Sequence, residues 1–144
     1  MQVVFIGADA RIAVMADQSC HMAWPASTLH VATTATEGLK LGEQVAPDLV
    51  LLHPDFSDLS LSAAITGLRR FSNIAVLVLG QSGDEMELVT ALELGADEYV
   101  LRPWHMGELI ARLQALLRRI GIRMPPKSEG LFFSGPWAGG RAKL

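Results

Sequence analysis

A single cysteine, Cys20, stands among 144 residues, which excludes an internal disulfide and any cysteine-rich zinc site. Long apolar runs are missing too. The longest, near Leu49–Leu52 and Ile74–Leu79, are strand-sized and well short of the roughly 18 residues that span a bilayer. No basic segment precedes an apolar stretch at the N-terminus, so a secretory signal is not expected. Glycine and proline are not in excess. Half of the residues are apolar and 19% are charged, enough to bury a core and to exclude disorder over most of the length. These features predict one main globular domain in a soluble, cytoplasmic protein with no membrane segment.

Positive charge is scarce where a nucleic-acid surface would need it. Residues 1–122 carry 8 Lys/Arg against 14 Asp/Glu, a net of −6, whereas residues 123–144 carry a net of +3. An acidic body repels nucleic acid, and the basic stretch is too short and weakly charged to reverse that.

What is present is an alternation of strand-type and helix-type segments. Val3–Ile6 is a continuous apolar run ended by Gly7, and Asp9 stands where it caps a helix over Ala10–Gln18. A weaker strand follows at Thr28–Ala32, then a short helix at Glu37–Gln44 behind Thr36. Asp48–Leu52 reads as a buried strand and Leu59–Phe71 as a helix with Leu61, Ile65 and Leu68 on one face. Ile74–Leu79 is the most strand-like stretch, Asp84–Leu94 an amphipathic helix stopped by Gly95, and Glu98–Leu101 a fifth strand. His105–Ile120 is a helix with the stripe Leu109, Ile110, Leu113, Leu116 and Leu117. Arg118 and Arg119 suit the negative end of its dipole.

Five continuous strands alternating with five helices predict an α/β fold, a parallel sheet covered on both faces. Right-handed crossovers favour the doubly wound order 2-1-3-4-5, with functional residues at the strands' carboxyl ends near the switch between strands 1 and 3. Those ends fall at Gly7, Ala8 and His53. From about Arg123, Pro, Gly and Ser dominate without a core pattern, so 1–122 reads as the domain and 123–144 as a linker or tail.

Pro47-Asp48-Leu49-Val50-Leu51-Leu52, and the run from Ala91 through Leu94-Gly95-Ala96-Asp97-Glu98-Tyr99-Val100-Leu101-Arg102-Pro103 to Trp104, resemble the receiver domain of bacterial two-component response regulators. The ending Glu108-Leu109-Ile110-Ala111-Arg112-Leu113 … Arg118-Arg119 is most similar to the winged-helix (OmpR/PhoB) class. The resemblance spans about residues 2–120 and implies a flavodoxin- or CheY-like fold. It also implies phosphoryl transfer from a histidine kinase to an aspartate after strand 3, assisted by Mg²⁺ held on carboxylates.

Position by position, the chain departs from that chemistry. The acidic pair falls on Gly7 and Ala8, the acceptor on His53, the hydroxyl on Gly80 and the lysine on Arg102. Asp9, next in line, suits a helix cap better than a metal. Three carboxylate ligands become none, so Mg²⁺ binding is expected to be lost and no cofactor is expected. The resemblance therefore implies a degenerate, atypical receiver, or pseudo-receiver. His53 reads as a metal ligand or pH sensor, or more simply as a residue filling the vacated pocket and bonding to backbone, with no carboxylate placed to orient its ring. Arg102 reads as an anion site, or more simply as a partner of Asp9 or Asp55. His21, His30 and His105 share no ligand spacing with His53. Cys20, in a helix-to-loop region, reads as a part-buried small apolar residue rather than a redox sensor. Tyr99 occupies the family's switch-aromatic position, where packing in one rotamer is the simpler reading.

In the winged-helix class, helix 4, strand 5 and helix 5 form a symmetric dimer face with charged pairs. The candidates here are Asp97 with Arg119 and Glu98 with Arg112, while Glu93 and Glu108 meet Gln114 and Leu88 where the family has bases. The resemblance implies phosphorylation-independent signalling in transcription regulation, through homodimerisation on that face. DNA would be reached only through an effector domain absent from this chain. Two alternatives stay open: a sensor of a small anion or metabolite in the former phosphoacceptor pocket, and a stand-alone domain docking on a signalling protein. No nucleophile–base pair or metal cluster stands out, so no enzymatic activity is expected.

Overall fold

Val3–Ile6, Leu49–Leu52 and Ala75–Leu79 are buried along their whole length, because helices cover both faces of the sheet they form. The computed structural model describes residues 1–70, 73–81 and 85–121. Among these, the elements are β1 (Gln2–Ile6), α1 (Ala10–Ala23), β2 (Thr28–Ala32), α2 (Ala35–Val45) and β3 (Leu49–Leu52). They continue as α3 (Leu61–Arg69), β4 (Ala75–Leu79), α4 (Glu85–Glu93), β5 (Glu98–Val100) and α5 (Met106–Arg119). All strand pairs are parallel and the order is β2-β1-β3-β4-β5, as expected.

Successive strand residues point to opposite faces, which divides the core in two. Val3, Phe5, Leu49, Leu51, Leu77 and Leu79 pack under α1 and α5, meeting the leucine stripe of α5. Val4, Ile6, Val50, Leu52, Val76 and Val78 pack on the other face against Ala35, Ala64, Ile65, Leu68 and Ala91, on α2, α3 and α4. The register aligns Ile6 with Leu52 and Leu52 with Val78. The residues that follow, Gly7, His53 and the Leu79–Gly80 pair, are thereby brought side by side at the carboxyl edge.

The helix boundaries differ from expectation for identifiable reasons. α1 runs on past Gln18 to Ala23, because Ser19, Cys20 and Ala23 continue its buried face and the Ser19 hydroxyl donates to the Met15 carbonyl at 2.9 Å. α2 starts at Ala35 behind Thr34, whose hydroxyl accepts from the Glu37 amide. α3 starts at Leu61, capped by Ser60, so Leu59 belongs to the preceding loop. Gly95 takes φ +115° at the end of α4, a conformation suited to glycine. The stretch Gly80-Gln81-Ser82-Gly83, which the sequence reads as a turn, the ends at Phe71 and Asp84, and the tail 123–144 lie partly or wholly outside the described residues. No helix among the described residues is long and apolar enough to cross a membrane.

Candidate functional site

The carboxyl edge brings together Gly7, Ala8, Asp9, His53 and Gly80. Asp9 caps α1: its carboxylate accepts from the Arg11 amide at 2.8 Å and pairs with the Arg11 guanidinium at 3.3 Å. The Arg11 side chain, with the amide bonds of α1, holds the Asp9 carboxyl below its ordinary range. Asp9 is therefore engaged at a helix N-terminus.

His53 is 3% exposed. Its Nδ1 lies 3.2 Å from the Leu79 carbonyl oxygen, so Nδ1–H donates there. The ring meets Trp104 edge-on, with centroids 5.1 Å apart. Nε2 lies 3.6 Å from Oδ2 of Asp55. That carboxylate corrects the expectation that none would stand beside the ring. Asp55 also accepts from the Ala8 amide at 2.6 Å and the Asp9 amide at 2.9 Å. The signal for it was local: an aspartate directly after Pro54, in a turn that bonds the Asp55 amide to the His53 carbonyl.

Arg102 pairs with neither Asp9 nor Asp55, which corrects the simpler reading of it. Arg11 and the two backbone amides already engage those carboxylates, and the exposed Arg102 guanidinium lies 4.6 Å over the Trp104 ring instead.

Two glycines fix what fits at this edge. A Cβ on Gly7 would lie 2.9 Å from the Phe5 ring and 3.1 Å from the His53 Cβ. A Cβ on Gly80 would lie 2.5 Å from both the ring and the hydroxyl of Tyr99. Tyr99 thus fills the volume that any side chain at position 80 would need. It is 6% exposed, and its hydroxyl donates to the Glu87 carboxylate on α4.

The other candidates stand apart. His21 contacts Asp17, and His30 contacts Gln2 at 2.7 Å. His105 precedes α5. Among the described residues no three His, Cys, Asp or Glu side chains gather as a metal-holding group. Cys20 lies inside the last turns of α1, not at a helix-to-loop junction. Burial first, then the Asp17 charge, pushes its thiol up to about 12, so it is not a ready thiolate.

On the α4–β5–α5 face, Arg112 bonds Glu98 and Glu108, both at 3.0 Å, and Arg119 pairs with Glu98 at 3.6 Å. Asp97 does not reach Arg119 within the chain. It pairs with Arg69 at 3.0 Å and accepts from the Val76 amide at 2.8 Å. Arg69, which sequence reasoning missed, also donates to the carbonyls of Gly95 and Ile74. Its only sequence signal was a cation in the last turn of a helix. Leu88 and Glu93 lie on α4, and Val89, Leu92 and Leu101 are exposed nearby.

The five parallel strands in the order β2-β1-β3-β4-β5 form a CheY-like fold, and the sequence relatives support a response regulator receiver domain. The chain is similar to the sensory transduction protein RegX3 of Mycobacterium tuberculosis, 37% identical over 108 residues, covering 73% of this chain and 48% of that one. It is also similar to the transcriptional regulatory protein KdpE of the same organism, 38% identical over 88 residues, covering 61% and 39%. The chain thus spans less than half the length of these relatives. A two-component response regulator from Clostridium difficile shares the fold, with a TM-score of 0.73 and 19% identity over 84% of this chain and 98% of that one. No protein-family profile matches the chain.

Proposed function

We propose that this chain is an atypical receiver domain that signals without aspartyl phosphorylation, by contact between two copies through α4, β5 and α5. The observation that carries this reading is Tyr99, held inward against the bare Cα of Gly80 and tied to Glu87 on α4. No phosphoryl group is needed to draw the ring in, because no side chain at position 80 opposes it. The positions that resemble the family's acidic pair and acceptor, Gly7, Ala8 and His53, offer no carboxylate to Mg²⁺ or phosphate, so no cofactor and no catalysis are assigned. Val89 and Leu92, one turn apart on α4, and Leu101, just after β5, are exposed apolar residues, and Glu93, Glu98 and Arg112 add charge on α4, β5 and α5, the mix of an interface core and rim.

The names of RegX3 and KdpE support a place in signal transduction and transcription regulation. DNA would be reached through an effector domain beyond residues 1–122, and a signalling protein is a further partner class. The anion-sensor reading gains no support, since Arg102 stacks on Trp104 and Asp55 occupies the amides of Ala8 and Asp9.

Incubation with acetyl phosphate and Mg²⁺, followed by intact-mass measurement and light scattering, tests the independence from phosphate. The expected result is an unmodified chain whose oligomeric state does not change. A phosphorylated chain with an altered oligomeric state would overturn the reading.

A further inference from the structure

The loop after β3, residues 53–60, holds the entries of three helices on both faces of the sheet. Asp55 accepts from the amides of Ala8 and Asp9 at the entry to α1, at 2.6 and 2.9 Å. Three residues on, Asp58 does the same for α2, accepting from the Ala35 amide at 3.0 Å and the Thr36 amide at 2.8 Å. The Ser60 hydroxyl then accepts from the Ala63 amide at 3.0 Å and caps α3. α1 packs on one face of the sheet, and α2 and α3 on the other.

Ala35 and Thr36 lie in the first turn of α2, whose amides have no partner within the helix, whereas Ala8 and Asp9 immediately precede α1; in both places the carboxylate meets the positive end of a helix dipole. Each aspartate uses both oxygens, one per amide, in charge-assisted bonds. The Thr36 side chain and amide, with the Ala35 amide, hold the Asp58 carboxyl down at about 2. Between the carboxylates, Phe56 is buried in the core beneath α2 and α3, and Leu59 packs against the same core. The loop therefore has apolar anchors between its polar ones and has little freedom to let go at one point only.

We propose that residues 53–60 act as a single clasp across the sheet, so that loosening either carboxylate loosens the N-terminal turns of α1 and α2 together. The clasp would make the carboxyl edge one mechanical unit, with His53 as its first residue. This proposal does not depend on the dimer.

Residue-resolved amide exchange on the full chain tests it, comparing the native protein with Asp55→Asn and Asp58→Asn. Asparagine keeps the shape and removes the charge. The expected result is that either variant speeds exchange roughly tenfold or more at all four amides, Ala8, Asp9, Ala35 and Thr36, while the β1 amides of Val4 and Phe5 stay protected. Acceleration confined to the pair that the altered residue touches would overturn the clasp and leave two independent caps. No acceleration at either pair would overturn it as well. If Asp58→Asn fails to fold, Asp58→Glu, which keeps the charge but displaces it by one methylene, is read at the same four amides with the same two outcomes.

Discussion

At the scale of single residues, the carboxyl edge is governed by which volumes are already filled. Gly80 and Tyr99 share one volume, since a Cβ at position 80 would sit 2.5 Å from the ring. Gly80→Ala is therefore expected to cost about 1–3 kcal/mol, the usual range for overpacking, and to turn Tyr99 outward. Urea unfolding reads the first and quenching of tyrosine emission the second. Asp58 sets a pH dependence. Its carboxyl is lowered from 3.8 to about 2 in the folded chain, so the unfolded chain binds the proton more tightly. Its contribution is present in full above about 3.8 and is lost as pH falls toward about 2. Asp58→Asn is expected to flatten that part of the stability curve, measured by urea unfolding at a series of acidic pH values. The sequence revealed Asp9 as a cap, because capping is a local property of one residue and the helix after it. It did not reveal that Asp55 would stand beside His53 or that Arg102 would choose Trp104. Those choices depend on how neighbouring loops fold back, and on which carboxylates other groups have already engaged.

At the scale of elements, strands were the most legible, since a run such as Leu49–Leu52 is apolar at every position only if both faces are covered. The order of the sheet followed from crossover handedness. Helix ends were less legible: α1 continues through Ser19 and Cys20 because tertiary burial outweighs their weak helical preference. The junction of α3, β4 and β5 was not legible at all. There Arg69 joins the carbonyls of Gly95 and Ile74 to the Asp97 carboxylate, three partners drawn from two separate stretches of chain. Arg69→Met keeps much of the apolar stem and removes the donors. It is expected to destabilise the domain by roughly 1.5–3 kcal/mol, the range for hydrogen bonds to charged groups, with the shift read from the urea midpoint. An unchanged midpoint would mean that water replaces the guanidinium without loss.

At the scale of the whole molecule, the sheet carries a closed carboxyl edge on one side and, through Tyr99 and Glu87, a link from that edge to α4. On the proposed reading, the α4–β5–α5 face is set by packing rather than by a phosphoryl group. Glu98 already holds Arg112 and Arg119 within the chain, so the apolar residues are the better probes of a contact between copies. Leu92 is 43% exposed on α4, and replacing it disturbs little of the core. The decisive measurement is light scattering on a sizing column, over a wide concentration range and with no phosphoryl donor, comparing the native chain with Leu92→Lys. The account predicts a native dimer at micromolar concentration and a folded monomer for the variant. A native chain that stays monomeric throughout, or a dimer that Leu92→Lys leaves intact, would contradict signalling through this face.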